Sequence, residues 1–127
     1  MLLGIDLGTT AVKAVVLDPE RGLLASASRP NSPASPQAGW SEQDAVVWLA
    51  NAVELVPEVC AAAGIAPAAI AAVGVAGCVP CVIPLDEHDV PLRPALLYND
   101  ARAHAEIDEL SAELLSLIHI SEPTRPY

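Results

Sequence analysis

The chain begins with an apolar run broken by one acid and one glycine, Gly4-Ile5-Asp6-Leu7-Gly8-Thr9-Thr10, and continues as Ala11-Val12-Lys13-Ala14-Val15-Val16-Leu17-Asp18. Two apolar strands on either side of a glycine and two hydroxyls make a hairpin whose tip suits phosphate. Gly8 can take positive φ and lets another group approach the backbone closely. Thr9 and Thr10 supply hydroxyls, and successive loop N–H groups can form an anion-binding nest. Asp6 ends its strand, where a carboxylate can hold Mg²⁺, often through water. Lys13 is the only lysine in the chain, a point charge within reach of a phosphate. An ordinary hairpin turn, with Asp6 accepting loop N–H bonds, fits the same residues. The run is not a Walker A loop, because no Gly-Lys-Ser/Thr follows a Gly-rich stretch. It is not the aspartate-phosphatase pattern, because Gly8 stands where a second carboxylate belongs.

Beyond the hairpin, the pattern predicts strands over residues 2–6, 11–17 and 23–29, with a Pro/Gly turn at 18–22. The chain thus opens with a three-stranded antiparallel meander. Residues 30–39 hold three prolines and read as a loop. Ser41, with Asp44 three residues on, marks a helix start. Val46, Leu49, Val53, Val56 and Cys60 follow as one expected buried stripe. Pro57 should kink or end that helix, and Gly64 closes it. Residues 67–70 suggest a helical turn, 72–76 a buried strand and 77–81 a loop at its carboxyl end. Residues 81–85 read as a further strand, 86–89 as a turn with a solvated His88, and 92–98 as extended. Asn99-Asp100 is expected to cap a helix with Ala103, Ile107, Leu110 and Leu114 on its apolar face.

The 127 residues are 53% hydrophobic but 3% aromatic, so the core must be aliphatic. A net charge of −10 argues against nucleic acid and against an anionic membrane surface. It says nothing against ATP, which local N–H groups, Mg²⁺ and a few cations can bind. Residues 59–85 carry no charge, yet Gly64, Pro67, Gly74, Gly77, Pro80 and Pro84 interrupt them, against a membrane span. Three cysteines and no secretory signal point to a reducing, cytoplasmic location. Cys78-Val79-Pro80-Cys81 is a C-x-x-C. A strand-like run follows it rather than a helix, and a zinc reading through Cys60 and His88 lacks a second ligand pair. Buried small apolar residues are the plainer reading of these thiols.

Four segments in order resemble the N-terminal part of the FGGY family of carbohydrate kinases, most nearly its xylulokinase-like members. They are Gly4–Thr10 with Lys13 and Asp18, Gly39-Trp40-Ser41-Glu42-Gln43-Asp44, Val73-Gly74-Val75-Ala76-Gly77 with the run to Asp86, and residues 91–102. The first segment alone also resembles Hsp70-type ATPases and acyl-CoA dehydratase activators. The second and fourth make the resemblance specific. It implies an α/β, ribonuclease H-like (actin-like ATPase) N-terminal lobe, incomplete here. It implies transfer of the ATP γ-phosphoryl group to a sugar hydroxyl, with a ketopentose such as xylulose favoured, and ATP and Mg²⁺ as cofactors. Asp6, Gly8, Thr9, Thr10 and Lys13 match the phosphate hairpin, with Asp6 at the metal. Cys78, Val79 and Pro80 fall on the loop that touches sugar. Tyr98, Asn99 and Asp100, with Arg102 beside them, fall on the segment lining the sugar pocket.

Xylulokinases typically carry a Gln-Met-His-Gly type of sequence where this chain has Cys78-Val79-Pro80-Cys81. An apolar wall in place of a polar one discriminates differently among sugars. The family's general-base aspartate lies beyond residue 127, so no catalytic residue is expected here and the chain alone should be inactive. Residues 1–115 read as the partial kinase domain. Residues 116–127 read as a non-family tail of artefactual origin. The resemblance leaves room for a homodimer of the full-length protein. A different actin-fold ATPase and a small thiol or binding module are the alternatives.

Overall fold

The computed structural model describes residues 1–121; residues 122–127 of the expected tail lie outside the described residues. Strands β1 (Leu2–Leu7), β2 (Ala11–Asp18) and β3 (Gly22–Pro30) form the expected antiparallel meander. Asp18 builds the second turn by accepting the Glu20 and Arg21 N–H groups at 2.9 and 3.3 Å. These backbone bonds, Glu20 first, lower the Asp18 pKa. The described elements continue with β4 (Glu42–Gln43), α1 (Ala45–Ala62), a short 3-10 turn (Pro67–Ala69), β5 (Ala72–Gly77), β6 (Ala95–Leu96) and α2 (His104–Ser121).

β5 crosses over to lie parallel to β1, giving a sheet ordered β3-β2-β1-β5. The apolar character of β5 had suggested a buried strand. Instead every residue of β5 is exposed. It is the sheet's edge, and no described element covers its faces.

One face of the sheet packs on α1. Val12, Ala14 and Val16 alternate along β2 and are wholly buried with Leu55, Val59 and Cys60 of the helix. The buried helical stripe matches the expected one only in part: it runs Trp48, Leu55, Val59, Cys60, with Val56 half-buried, while Val46, Leu49 and Val53 are exposed. α1 is apolar around more than one side, so periodicity alone offers two stripes, and the sheet covers one of them. Among described residues only α1 is long and apolar enough to cross a membrane, yet its stripe is the core of this fold.

Asp44, not Ser41, caps α1; its Oδ1 accepts the Val46 N–H at 2.9 Å. Pro57 sits inside α1 without ending it, on the exposed side. The strand expected at 81–85 reduces to single bridges, Val82 with Leu96 and Leu85 with Pro91. Pro84 has no N–H to continue a ladder. Asn99-Asp100 caps no helix: α2 begins at His104, because the Asp100 carboxylate is engaged elsewhere. The helix also runs past residue 115, where the apolar pattern breaks. Helical hydrogen bonding propagates along the backbone without needing an apolar stripe.

Candidate functional site

The β1–β2 hairpin places Asp6 directly across from Lys13. Successive strand residues point to opposite faces. Val12 and Ala14 face α1, so Lys13 and its cross-strand partner Asp6 occupy the other face, and both are exposed. Behind them lies an open depression of about 470 Å³ bordered by Gly4, Val15, Gly74 and Ala76. Gly4 and Gly74 are register partners on β1 and β5, and the Val15 side chain packs over Gly4, where an added Cβ would lie 2.9 Å from its Cγ2.

The tip of the hairpin is braced from behind. The Asn31 Nδ2 donates to the Gly8 carbonyl at 2.7 Å, and the Asn31 N–H donates to the Thr10 carbonyl at 2.9 Å. The Gln43 Nε2 donates to the Thr9 carbonyl between them. All three tip carbonyls are thus occupied on one side. The Thr9 and Thr10 N–H groups take no acceptor among the described residues, leaving donors free for an anion. The braces are themselves held. Gln43 is 2% exposed and its Oε1 accepts from Trp48 Nε1 at 2.6 Å, while Asn51 donates to Asn31 at 3.0 Å.

Gly8 serves by a different route from the expected one. It is not among the glycines with positive φ. Its N–H donates to the Ala11 carbonyl at 3.1 Å, and an added Cβ would lie 2.8 Å from that oxygen. Glycine is required by close backbone approach.

A second cluster ties residues 39–43 to 93–102. Glu42 Oε1 accepts from Arg93 Nη2 at 2.9 Å and Arg102 Nη2 at 2.8 Å. Asp100 takes Arg102 Nη2 at 2.6 Å and Nε at 2.7 Å, and it also takes the Ser41 N–H at 2.7 Å. The Arg102 guanidinium lies 3.7 Å from the Trp40 ring centroid, a cation–π contact. The Asp100 and Glu42 side chains are 5% and 11% exposed. The Arg102 guanidinium holds the Asp100 carboxyl well below the usual carboxylate range and lowers that of Glu42. The two carboxylates raise the Arg102 pKa, Asp100 most. Asp100 and Arg102 are therefore spent on one another, while Tyr98 and Asn99 beside them remain exposed.

These depressed pKa values make an acid-sensitive fold. A carboxylate with a lowered folded pKa stabilises above its unfolded value of about 4, and the contribution is lost as pH falls through the folded pKa. Thermal unfolding of Asp100→Asn should show a shallower loss of Tm than the parent below about pH 4. Parallel acid slopes would remove the cluster from the account.

Cys78 and Cys81 meet at the carboxyl end of β5, Sγ to Sγ 3.2 Å. The Cys78 N–H donates to the Leu7 carbonyl at 3.1 Å, which seats the loop beside the hairpin. Burial first, and the Cys81 contact second, push the Cys78 thiol up to about 11. Val79 is 84% exposed and Pro80 is also exposed. The structure brings Asp6, Lys13, Gly8, Thr9 and Thr10 together. It sets Tyr98, Asn99, Asp100 and Arg102 on a separate loop that the second cluster anchors.

Asn31, Asn51, Trp48, Arg93 and the bracing role of Gln43 were not foreseen. Glu42 and Gln43 read in sequence as ordinary polar residues before a helix, and only the structure shows them buried. Nothing in the sequence marks Asn31.

Residues 1–124 match the model of the FGGY family of carbohydrate kinases, N-terminal domain. The chain belongs to this family. The curated xylulose kinase of Staphylococcus xylosus is 26% identical over 97% of this chain and 26% of its own length. The glycerol kinase of Citrifermentans bemidjiense is 36% identical over 85% of this chain and 22% of its own. The crystal structure of xylulose kinase from Rhodospirillum rubrum superposes with a TM-score of 0.82 at 35% identity, over 87% of this chain and 23% of that one. The FGGY chain described here thus spans about a quarter of the length of the curated relatives it matches. The α/β architecture is that of the actin-like lobe of these kinases.

Proposed function

We propose that these residues are the N-terminal part of an ATP-dependent kinase that transfers the γ-phosphoryl group to a hydroxyl of a small sugar or polyol, a ketopentose such as xylulose first. The observation that carries this is the braced hairpin. Its carbonyls are occupied from behind, its Thr9 and Thr10 amides are free, and Asp6 and Lys13 pair across its strands. Phosphoryl transfer demands positioning and charge neutralisation more than covalent chemistry, and a rigid amide-bearing tip provides positioning.

Among described residues no group of three or more His, Cys, Asp or Glu forms a metal cage. That suits Mg²⁺, which commonly binds one or two carboxylates plus substrate phosphates and water. The exposed carboxylate of Asp6 fits this role, and bound Mg²⁺ would offset phosphate charge. Lys13 supplies a further positive charge to the transferred group. Thr9 and Thr10 hold phosphate oxygens through amides and hydroxyls. Cys78, Val79 and Pro80 offer the sugar an apolar wall, and Tyr98 and Asn99 a stacking face and a hydrogen-bonding amide. Asp100 and Arg102 position that segment through Glu42 and Trp40. The general base would come from residues outside these 127, so the chain by itself should turn over no ATP. Three free thiols fit a reducing cytoplasmic setting.

The test is ADP formation by the complete reading frame that contains this chain, assayed with Mg-ATP against a panel of ketoses and polyols. One ketopentose or polyol should raise turnover well above the sugar-free rate. A pure, folded full-length protein that no sugar stimulates would overturn the reading.

A further inference from the structure

We propose that Cys78 and Cys81 form a reversible thiol–disulfide pair on the loop beside the hairpin. Three observations converge on it. The two sulfurs already lie 3.2 Å apart, so side-chain rotation can bring them to the disulfide distance of about 2.05 Å. Both residues are partly exposed, and the intervening Val79 and Pro80 are exposed, so a small reagent can reach them. Cys60, the third cysteine, is wholly buried in the core, which leaves the loop pair as the accessible thiols. Cys78 follows Gly77, the register partner of Leu7, and its N–H is bonded to the Leu7 carbonyl. A bridge there closes a four-residue ring against the strand that leads into Gly8.

The co-reactant is a low-molecular-weight disulfide such as oxidised glutathione. One loop thiol loses its proton and attacks a glutathione sulfur. A mixed disulfide forms and the first glutathione thiolate leaves. The second loop thiolate then attacks the protein sulfur of that mixed disulfide and expels the second glutathione thiolate. Two electrons pass from the protein to glutathione, one protein S–S bond forms, and each released thiolate takes up a proton. Burial and the Cys81 contact raise the Cys78 pKa, which leaves little Cys78 thiolate at neutral pH and slows attack through that sulfur. Cytosolic disulfides in ordinary proteins are commonly transient and redox-sensing, which matches a closely placed but unbonded pair. An effect of the bridge on sugar binding rests on the kinase reading; the bridge itself does not.

The experiment equilibrates the intact chain in buffers of increasing oxidised-to-reduced glutathione ratio, then quenches by alkylation and reads intact and peptide masses. The expected result is loss of two of the three alkyl adducts together, with a Cys78–Cys81 linked peptide and Cys60 still alkylated after denaturation. Added dithiothreitol should restore all three. Cys81→Ser should abolish the linked peptide and leave at most a glutathione adduct on Cys78. If both thiols stay alkylatable across the series, or stop at separate glutathione adducts, the proposal is overturned. Oxidation of Cys60 in step with the loop pair would also overturn it, since that marks unfolding rather than a local bridge. Because masses are read, the outcome stands whether or not the full-length protein phosphorylates any sugar.

Discussion

Gly8→Ala in the full-length protein is expected to lower kcat about 100-fold, on the general scale for a displacement of about 1 Å at a reacting centre. The cause is a backbone collision. The new Cβ would sit 2.8 Å from the Ala11 carbonyl oxygen, an atom that cannot rotate away as a side-chain end could. Either the tip opens and the Gly8 N–H to Ala11 bond breaks, or Thr9 and Thr10 move relative to Asn31 and Gln43, which hold their carbonyls. Both responses shift the free amides. The sugar contacts proposed above lie at residues 78–80 and 98–99 rather than at the tip itself, so KM for the sugar should change less than kcat. Steady-state kinetics of the purified variant decide it: a kcat within threefold of the parent would mean that the tip does not seat the transferred phosphate.

Leu55→Ala should destabilise the chain by about 2–5 kcal/mol, through lost burial plus the cavity left behind. Leu55 is 0% exposed between α1 and the sheet. Small domains have total stabilities of about 5–15 kcal/mol, so this single change removes a large share. Leu49→Ala is the matched control. Leu49 is 67% exposed on the same helix, and its loss should cost no more than about 0.5 kcal/mol. Urea unfolding of the parent and both variants separates the two helical stripes. Equal costs would mean that α1 sits rotated from the packing described here.

The Leu49–Leu55 contrast shows where sequence reasoning succeeds and where it stops. The hairpin, the meander and the position of α1 follow from patterns a few residues long. Strand alternation, glycine at the tip and an acid before an apolar run are each local; the three strands appear within a residue of their expected bounds, while α1 is capped by Asp44, three residues after the expected Ser41. The face of α1 that becomes core is not local. Val46, Leu49 and Val53 form as regular a stripe as Trp48, Leu55 and Val59, and only contact with β2 and β3 chooses between them. β5 likewise reads as buried because burial needs a covering layer, which a strand's own residues do not encode.

The site divides in the same way. Asp6, Gly8, Thr9, Thr10 and Lys13 are legible because they lie within one hairpin, where strand register alone sets Asp6 opposite Lys13. The family follows from four short segments whose order is itself sequence information. The braces are illegible. Asn31 lies 23 residues from the Gly8 carbonyl that it holds, and Gln43 lies 34 residues from the Thr9 carbonyl. Asp100 looked like a helix cap, yet its carboxylate turned to Arg102 and to the Ser41 N–H, 59 residues away. Short-range chemistry is written in neighbouring side chains. Which polar group satisfies which buried partner is decided only when the sheet, α1 and the two loops close together, because a buried donor or acceptor left unpaired is too costly to tolerate.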